Sequence, residues 1–409
     1  MHVDVVVIGG GPIGAVAARC AAEAGASVLL VDRRENLGRS SCCTGLVSQR
    51  ALTSLGVSSG PVLRKIRAVT LHAPDGRTLD LAADHTKAVV IDRSRLEREL
   101  HELARTAGVD VRLGIEAVSA SCDTIVLESA DGLKPVTASA VVGADGPSSR
   151  VAQWFGLPPP EQFVHAAQAI VETDRPVPPD RVEVFLGDNV APGFFAWAVP
   201  AEEQRLRVGL GVSPPSDPSG YLDRLLTARF HGCRVLSRAG GRIPVSPSPR
   251  CAADSVLLVG DAAGQVKPLS GGGLYPGAIC ARIAGRIAAE SALSGRSDPR
   301  TAAAYESEWR SAIGRELAFG RSMRRISGLL SDRDLSAVLA ACNDPDLLSF
   351  FAEHADIDRF HRLPDELAAQ PSLWGKVLQL LPLIVNREIA GLPNRPPVVS
   401  AHRASLQSG

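Results

Sequence analysis

The sequence predicts an α/β protein in which a parallel-sheet domain is interrupted by an antiparallel sheet and followed by a helical region. Three observations predict this fold class. The N-terminus has the pattern of a strand, a glycine-rich turn, a helix and a second strand. A second strand followed by glycines begins at Ser255. A proline-punctuated β-rich stretch lies between the two, and the pattern from Thr301 onward is helical.

The N-terminal unit begins with Val3–Ile8, a short apolar run rich in β-branched residues that is typical of a buried parallel strand. An Ala-rich helix follows from about Pro12 to Ala24. A second strand runs from Ser27 to Val31 and closes on Asp32. Strand, helix and strand within about 30 residues predict a βαβ unit.

The turn between the first strand and the helix has the spacing Gly9-x-Gly11-x-x-Gly14. Gly9 permits a tight turn, Gly11 lets a pyrophosphate approach the backbone, and Gly14 lets helix and strand pack closely. Asp32 is placed to accept hydrogen bonds from a ribose diol, whereas Arg33 beside it could take a 2′-phosphate. The acidic residue favours an unphosphorylated ribose, hence FAD or NAD. The alternative is a purely structural glycine turn.

The second glycine-rich stretch points to the other end of the same cofactor. Gly260 and Asp261 follow the strand Ser255–Val259, where a carboxylate can accept hydrogen bonds from the ribityl hydroxyls of a flavin. The alternative is an ordinary N-cap aspartate. A glycine triplet then opens the helix from Leu274 to about Leu293, where backbone can lie against a planar ring and the helix N-terminus favours negative charge on a reduced flavin; the triplet is Gly271, Gly272 and Gly273. No second strand–GxGxxG–helix unit occurs, so the cofactor is predicted to be FAD rather than a free nicotinamide nucleotide.

Two further residues are candidates for contacting the cofactor. Asp145 stands at the end of a predicted strand, Val136 to Val142, and is followed by a glycine. Arg93 lies near the start of the helix predicted from Asp92 to Ala107, and its alternative is a surface arginine.

The fold class is therefore α/β: a Rossmann-like FAD-binding domain with an inserted antiparallel β-sheet substrate domain and a C-terminal helical region. The predicted FAD-binding domain is discontinuous and comprises residues 1–60, 90–155 and 250–300. Residues 61–89 and 156–249 form the β-rich domain, and residues 301–409 the helical region. Strands are predicted at Ala68–His72, Thr78–Leu81, Ala166–Val171, Arg181–Leu186, Phe194–Val199 and Leu206–Val212, with a helix near Tyr221–Phe230.

Composition excludes several function classes. The formal net charge is zero, so the sequence has no electrostatic footprint for nucleic acid. The eight cysteines contain no CxxC pair and no metal-ligand spacing, which fits a reducing cytosol and predicts no metal site. The first strand leaves no room for a signal peptide, and no apolar run reaches the roughly 18–20 residues of a spanning helix. We expect a cytoplasmic protein.

The chain resembles the geranylgeranyl reductase family, among the p-hydroxybenzoate-hydroxylase-like flavoproteins, over roughly residues 3 to 300. Cys42-Cys43-Thr44-Gly45-Leu46 is similar to the family's Cys-x-x-Gly-Leu element. Pro192 to Pro200 is similar to its Pro-x-x-Tyr-x-Trp-x-Phe-Pro element, and Gly260 to Ala263 with the glycine triplet to its Gly-Asp-Ala-Ala stretch. Two residues depart from the pattern: Phe195 stands where the family has tyrosine, and Val199 where it has phenylalanine.

The resemblance implies saturation of isolated C=C bonds in a polyprenyl chain of an isoprenoid lipid substrate. Such an alkene has no carbonyl to accept charge, so hydride delivery needs an accompanying proton and a dry, aligned site. Cys42 is the candidate proton donor or alkene-positioning wall, with a buried structural cysteine as the alternative. Phe194, Phe195 and Trp197 are candidates for packing the tail, and Tyr275 for touching flavin or substrate. The head group stays open, and so does the electron donor, NAD(P)H or ferredoxin.

Two rival functions fit the same architecture. A flavin-dependent halogenase or monooxygenase would consume oxygen, and Phe195 to Pro200 is faintly similar to the halogenase Trp-x-Trp-x-Ile-Pro element. A non-catalytic prenyl-binding protein, like the Rab GDP-dissociation inhibitors, would have lost the cofactor residues. The apolar segment Pro371 to Leu392 is either a helix over the substrate domain or an interfacial element, which leaves peripheral membrane contact open.

Overall fold

The structure is a computed structural model that describes residues 1–38, 43–174, 176–295 and 300–378. The described strands, in chain order, are β1 (His2–Ile8), β2 (Val28–Asp32), β3 (Leu46–Val47), β4 (Val62–Ile66), β5 (Ala68–His72), β6 (Thr78–Ala82), β7 (Ala88–Ile91), β8 (Asp110–Leu113), β9 (Glu116–Ser121), β10 (Thr124–Ser129), β11 (Gly132–Gly143), β12 (Phe163–Glu172), β13 (Arg181–Phe185), β14 (Ala196–Glu202), β15 (Arg205–Val212), β16 (Arg234–Pro244), β17 (Ala252–Ala253) and β18 (Val256–Leu258).

Helices flank these strands and make up most of the C-terminal region. They are α1 (Pro12–Glu23), α2 (Gln49–Leu55), α3 (Arg93–Thr106), α4 (Arg150–Trp154), α5 (Pro218–Arg229), α6 (Leu274–Leu293), α7 (Arg300–Ser327), α8 (Asp332–Cys342), α9 (Pro345–His354), α10 (Leu363–Ala368) and α11 (Trp374–Leu378).

The first sheet has the order β17-β18-β11-β1-β2-β8, with β9 and β10 attached to β11. Strands β18, β11, β1, β2 and β8 pair in parallel. The centre of this sheet is covered on both faces, so Val5, Val6 and Val7 have no exposed surface. Helices α1, α3 and α6 pack together beside it. The carboxyl ends of β1, β2 and β18 therefore meet at one edge, where the predicted cofactor residues lie.

The second sheet has the order β16-β12-β15-β14-β13-β5-β6. The sheet is antiparallel, as predicted, except at one pair, where β13 runs parallel to β5. A parallel pair needs a long connection, and the chain between His72 and Arg181 supplies it. Strand β16 was not predicted. It is an edge strand exposed along most of its length, so the apolar alternation that identifies a strand is missing.

A small third sheet, β3-β7-β4, contributes side chains to the core of the first sheet and to a cluster with the second. Its residues Ile66, Ala88 and Val90 form one buried cluster with Trp197 and Val199 of β14. The domain limits predicted from sequence stay a prediction, but the strand pairings show how the excursion after residue 60 is used. Strands β5 and β6 extend the second sheet, while β4 and β7 form this third one.

The helical pattern predicted from Thr301 onward is found as far as the structure describes the chain. Helix α7 packs against α6, and its Tyr305 and Trp309 are buried in the core of the first sheet. Helices α8 and α9 contact β6. Within the described ranges, no helix is long and apolar enough to cross a bilayer.

Candidate functional site

The first glycine turn is built so that side chains are excluded where helix and strand meet. Gly9 has a φ of 107°, and a Cβ there would lie 2.3 Å from the carbonyl oxygen of Ala144. A Cβ at Gly14 would lie 1.8 Å from the carbonyl oxygen of Gly9. Gly11 differs, because nothing lies within 4 Å of the position its Cβ would take. The open face is thus at the middle glycine, where a phosphate is predicted to approach.

Helix α1 starts at this turn with its N-terminal amides available. Gly11 is the N-cap and supplies no capping side chain, and the first turn of the helix carries no acidic residue. The positive end of the helix dipole and uncapped N–H groups form a site for an anion. These features fit the pyrophosphate of a dinucleotide.

Asp32 lies at the end of β2, but its carboxylate is engaged within the protein. It accepts hydrogen bonds from the amide of Gly10 at 2.7 Å and from the amide, Nε and Nη2 of Arg34 at 2.7, 3.0 and 2.9 Å. Burial alone would raise the pKa of Asp32, but the hydrogen bonds and charge of Arg34 outweigh it and lower the pKa. Since a carboxylate has about four acceptor positions, a ribose hydroxyl would have to replace one Arg34 contact. The side chain of Arg33 is exposed, so Arg34 is the arginine at this site.

Glu97 of α3 holds a cluster of charges that the sequence did not reveal. It is buried, and it accepts hydrogen bonds from Nε of Arg93 at 3.1 Å and from the amide of Gly38 at 2.7 Å. Arg34 lies 3.5 Å from the same carboxylate. Arg93 is also close enough to Asp261 for its charge to act on that carboxyl group. The predicted cofactor residue Arg93 thus lies between the two glycine-rich turns.

Asp261 is the acidic group of the second turn. Asp261 is half-buried, and this burial raises its pKa to about 6, while the charge of Arg93 opposes the rise. In the part of the chain that the structure describes, no donor is hydrogen-bonded to this carboxyl group. Gly273 lies against it, since a Cβ there would be 3.1 Å from Oδ1 of Asp261. A half-buried acceptor without a donor fits a ribityl hydroxyl.

A series of buried hydrogen bonds fixes the turn that carries Asp261. Gly260 has a φ of 64°, and a Cβ there would lie 3.1 Å from Cγ2 of Ile13 in α1, which brings the two turns together. The amide of Gly260 donates to Oε1 of Gln265 at 3.0 Å, and Nε2 of Gln265 donates to the hydroxyl of Tyr305 at 2.9 Å. Tyr305 belongs to α7, so the sequence motif alone could not reveal this support.

The glycine triplet lies on a buried lysine. A Cβ at Gly272 would be 2.7 Å from Cε of Lys267. Nζ of Lys267 donates to Asp358 at 2.8 Å and to the carbonyl of Ile357 at 2.6 Å, and Asp358 also accepts from the hydroxyl of Ser48. These hydrogen bonds therefore connect the C-terminal region to the turn and support it.

An aromatic wall stands beside the triplet; we use this name for Phe194, Phe195 and Trp197. Phe194 and Phe195 are stacked with centroids 4.3 Å apart, and Phe195 meets Trp197 edge-on at 5.9 Å. A Cβ at Gly271 would lie 3.4 Å from Cζ of Phe194. Phe194 is therefore the member of the wall that contacts the predicted flavin-binding turn. Phe195 follows it through ring stacking, and Trp197 is buried at the edge of Phe195.

Cys42 lies outside the described residues, but the segment that follows it is anchored to the second sheet. Nε1 of Trp197 donates to Oε1 of Gln168 at 3.3 Å, and Nε2 of Gln168 donates to the carbonyl of Cys43 at 3.2 Å. Nη1 of Arg207 donates to the carbonyl of Thr44 at 2.7 Å. A Cβ at Gly45 would lie 2.0 Å from that guanidinium, which explains a glycine at this point. Cys43 is a free thiol.

Two predicted residues have local structural roles. Asp145 stabilises the start of α4, whose N-cap is Ser149, since its carboxylate accepts from the hydroxyl of Ser149 and the amide of Arg150, both at 2.7 Å. A cofactor contact at that turn would therefore come from backbone groups. Tyr275 is half-buried and packs against the core of the first sheet. Among the described residues no group of three or more metal-ligating side chains is found.

These features together fit one bent dinucleotide. The Gly9–Gly14 turn and α1 fit a pyrophosphate, Asp261 and Gly273 fit a ribityl chain, and the triplet beside the aromatic wall fits a planar ring. The class defined by this fold and site is the FAD-dependent flavoproteins.

Comparison with known proteins identifies the family. Residues 2–218 match the model of an FAD binding domain. The chain is 35% identical over 364 residues to digeranylgeranylglycerophospholipid reductase 2 of Methanothermobacter thermautotrophicus, covering 85% of this chain and 94% of the relative. It is 33% identical to the reductase of that name from Methanothrix thermoacetophila, covering 85% and 93%. The chain belongs to this family of geranylgeranyl reductases, and it is an FAD-dependent oxidoreductase, as predicted.

Solved structures confirm the fold. A geranylgeranyl bacteriochlorophyll reductase-like protein from Thermoplasma acidophilum superposes with a TM-score of 0.80 at 23% identity, covering 94% of this chain and 99% of that one. A myxobacterial chondrochloren halogenase superposes with a TM-score of 0.65 at 18% identity, covering 94% and 97%. The fold alone does not separate a reductase from a halogenase, so the distinction depends on the site and the sequence relatives.

Proposed function

We propose that this chain saturates the isolated C=C bonds of geranylgeranyl chains on a glycerophospholipid, by hydride transfer from reduced FAD. The observation that carries the proposal is the aromatic wall beside the glycine triplet, with the Cys43–Leu46 segment bonded to it through Gln168. The names of the relatives support the same substrate class.

The cofactor residues divide the task of holding FAD. The amides at the start of α1 would bind the pyrophosphate, Asp32 would hold the ribose with Arg34 beside it, and Asp261 would accept a hydrogen bond from the ribityl chain. Bound FAD supplies the hydride when it is reduced. The dipole of α6, whose N-cap is Gly273, favours negative charge at the ring.

The substrate residues keep the alkene dry and aligned. Phe194 and Phe195 are half-buried and carry no polar group, and the N–H of the buried Trp197 is already bonded to Gln168, so an isoprenoid tail would pack there without leaving a hydrogen bond unmade. Cys42 precedes the segment anchored by Gln168 and Arg207. We assign it the role of proton donor or alkene-positioning wall.

The testing experiment is anaerobic incubation of the dithionite-reduced protein with a digeranylgeranyl glycerophospholipid, read by mass spectrometry. Mass gains in steps of two hydrogens are expected, and oxygen should not be required. A yellow, reducible protein that leaves the lipid unchanged would contradict the proposal. Oxygen-dependent incorporation of oxygen or halide into an added aromatic would support a monooxygenase or halogenase instead.

The electron donor and the membrane contact complete the proposal. Flavin reduction followed anaerobically at the flavin absorbance, with NADH, NADPH or reduced ferredoxin, distinguishes the donors. Sedimentation with vesicles of a prenyl glycerophospholipid tests peripheral binding; the apolar segment expected to provide it continues beyond residue 378, outside the described residues. Its described start includes Trp374, which is 50% exposed.

A further inference from the structure

Helix α7 runs past the glycine triplet and carries an arginine to the aromatic wall. A Cβ at Gly320 would lie 2.8 Å from Cδ of Pro268, so the helix touches the segment that leads into the triplet. Arg324 is one turn later and therefore on the same face of the helix. The guanidinium carbon of Arg324 lies 5.3 Å from the centroid of Phe194.

Arg324 is a cation without a carboxylate partner. Its Nη2 donates to the hydroxyl of Ser213 at 3.3 Å, and no acidic group within the described ranges forms an ion pair with it. Burial lowers the pKa of Arg324, yet an arginine keeps its charge at neutral pH. A half-buried guanidinium with one neutral hydrogen bond and one ring contact leaves most of its five N–H donors available to a ligand.

Phe195 supplies no hydroxyl to the polar end of a substrate at this wall. The arrangement instead offers an apolar surface for a tail and, at its Phe194 end, a planar cation suited to bidentate contact with phosphate oxygens.

We propose that Arg324 binds the phosphate group of a prenyl substrate and makes the site selective for anionic over neutral prenyl compounds. The inference rests on the proposed function, because it assumes that the tail lies on the aromatic wall.

The test compares binding of matched pairs that differ only in the phosphate. One pair is geranylgeranyl diphosphate and geranylgeraniol; the other is digeranylgeranylglyceryl phosphate and digeranylgeranylglycerol. Kd values are measured by calorimetry in detergent with the FAD-loaded, oxidised protein, so that no turnover is needed. The variants are Arg324→Gln and Arg324→Lys, with Arg321→Gln as the control, since Arg321 is exposed one turn earlier on the same helix.

We expect Arg324→Gln to weaken both phosphate compounds about 10- to 100-fold and to leave both alcohols unchanged, which also shows that the variant is folded. Arg324→Lys should restore part of the loss, and Arg321→Gln should bind all four compounds like the parent. A loss that affects only one phosphate compound identifies the head group that the site accepts. Equal weakening of phosphates and alcohols, or no change in either, would overturn the inference.

Failure of the proposed function is recognised separately. A parent protein that prefers the phosphate compounds but reduces none of them would retain the anion site and lose the reductase assignment. If instead the parent protein reduces prenyl chains and Arg324→Gln keeps the same preference for phosphate compounds, the reductase assignment holds and Arg324 is not the anion site.

Discussion

At the scale of single residues, Asp261 shows how a half-buried acceptor without a donor prepares a site for a ligand. Its carboxyl pKa is raised to about 6 by burial, with Arg93 opposing the rise. A ribityl hydroxyl would donate to the ionised form, so bound FAD would favour deprotonation of Asp261. FAD affinity of the apoprotein should therefore rise as the pH rises through about 6.

The variant Asp261→Asn should weaken FAD at pH 8 by about tenfold or more and remove this pH dependence. Quenching of flavin fluorescence on titration into apoprotein measures both effects. Glu102→Gln, at an exposed position of α3, is the control and should behave like the parent. A variant that keeps the same rise in affinity through pH 6 would show that another group titrates.

Residue roles were predictable where a spacing motif fixes the backbone, and less so where distant segments meet. The glycines at 9, 11 and 14 followed from their spacing. The arginine that pairs with Asp32 did not follow from the sequence. Arg33 and Arg34 are adjacent, and only the backbone after β2 determines which side chain faces Asp32. Gln265 and Tyr305 meet across 40 positions of sequence, and no local pattern marks them.

At the scale of elements, β15 positions the segment after Cys42. Arg207 is half-buried and donates to two carbonyls, those of Thr44 and Ile91. Burial lowers its pKa. Replacing it by glutamine leaves buried carbonyls short of donors, at about 1–3 kcal/mol each.

Arg207→Gln should therefore slow anaerobic reoxidation of reduced flavin by the prenyl lipid about tenfold or more, while FAD binding stays unchanged. Cys42→Ala should lower the rate of the same step without lowering thermal stability. Arg207→Gln should lower both the rate and the thermal stability. Arg205→Gln is the matched control, since Arg205 is a partly exposed residue of the same strand and pairs with Glu202. If Arg207→Gln lowers the melting temperature alone, Arg207 has no positioning role.

The strength of its local apolar pattern explains whether a helix or strand was predicted from the sequence. The buried strands β1 and β2 and helices α1, α3 and α6 carry strong periodic patterns, and the structure has them within two residues of the predicted limits. Strand β16 has almost no buried face, so its partner β12 determines its conformation rather than its own pattern. The parallel pair β5–β13 depends on how two separate segments enter one sheet, which no local pattern encodes.

At the scale of the whole molecule, the C-terminal region is part of the site. The pair Lys267–Asp358 joins the glycine triplet to the segment before α10, and both side chains are almost fully buried, at 10% and 1% exposed. Removing one partner leaves an uncompensated buried charge, whereas removing both removes the need for compensation. The pair should therefore show strong coupling in a double-mutant cycle.

Lys267→Met and Asp358→Leu should each lower the free energy of unfolding of the FAD-loaded protein by about 3–5 kcal/mol, and the double variant by much less than their sum. Urea unfolding followed by tryptophan fluorescence and by the flavin spectrum measures this, with Arg315→Gln and Asp365→Asn as an exposed control pair. The single variants should also release FAD at a lower urea concentration than the concentration that unfolds the second sheet, because Lys267 contacts Gly272. Additive losses with an unchanged flavin spectrum would show that the C-terminal region covers the site without supporting it.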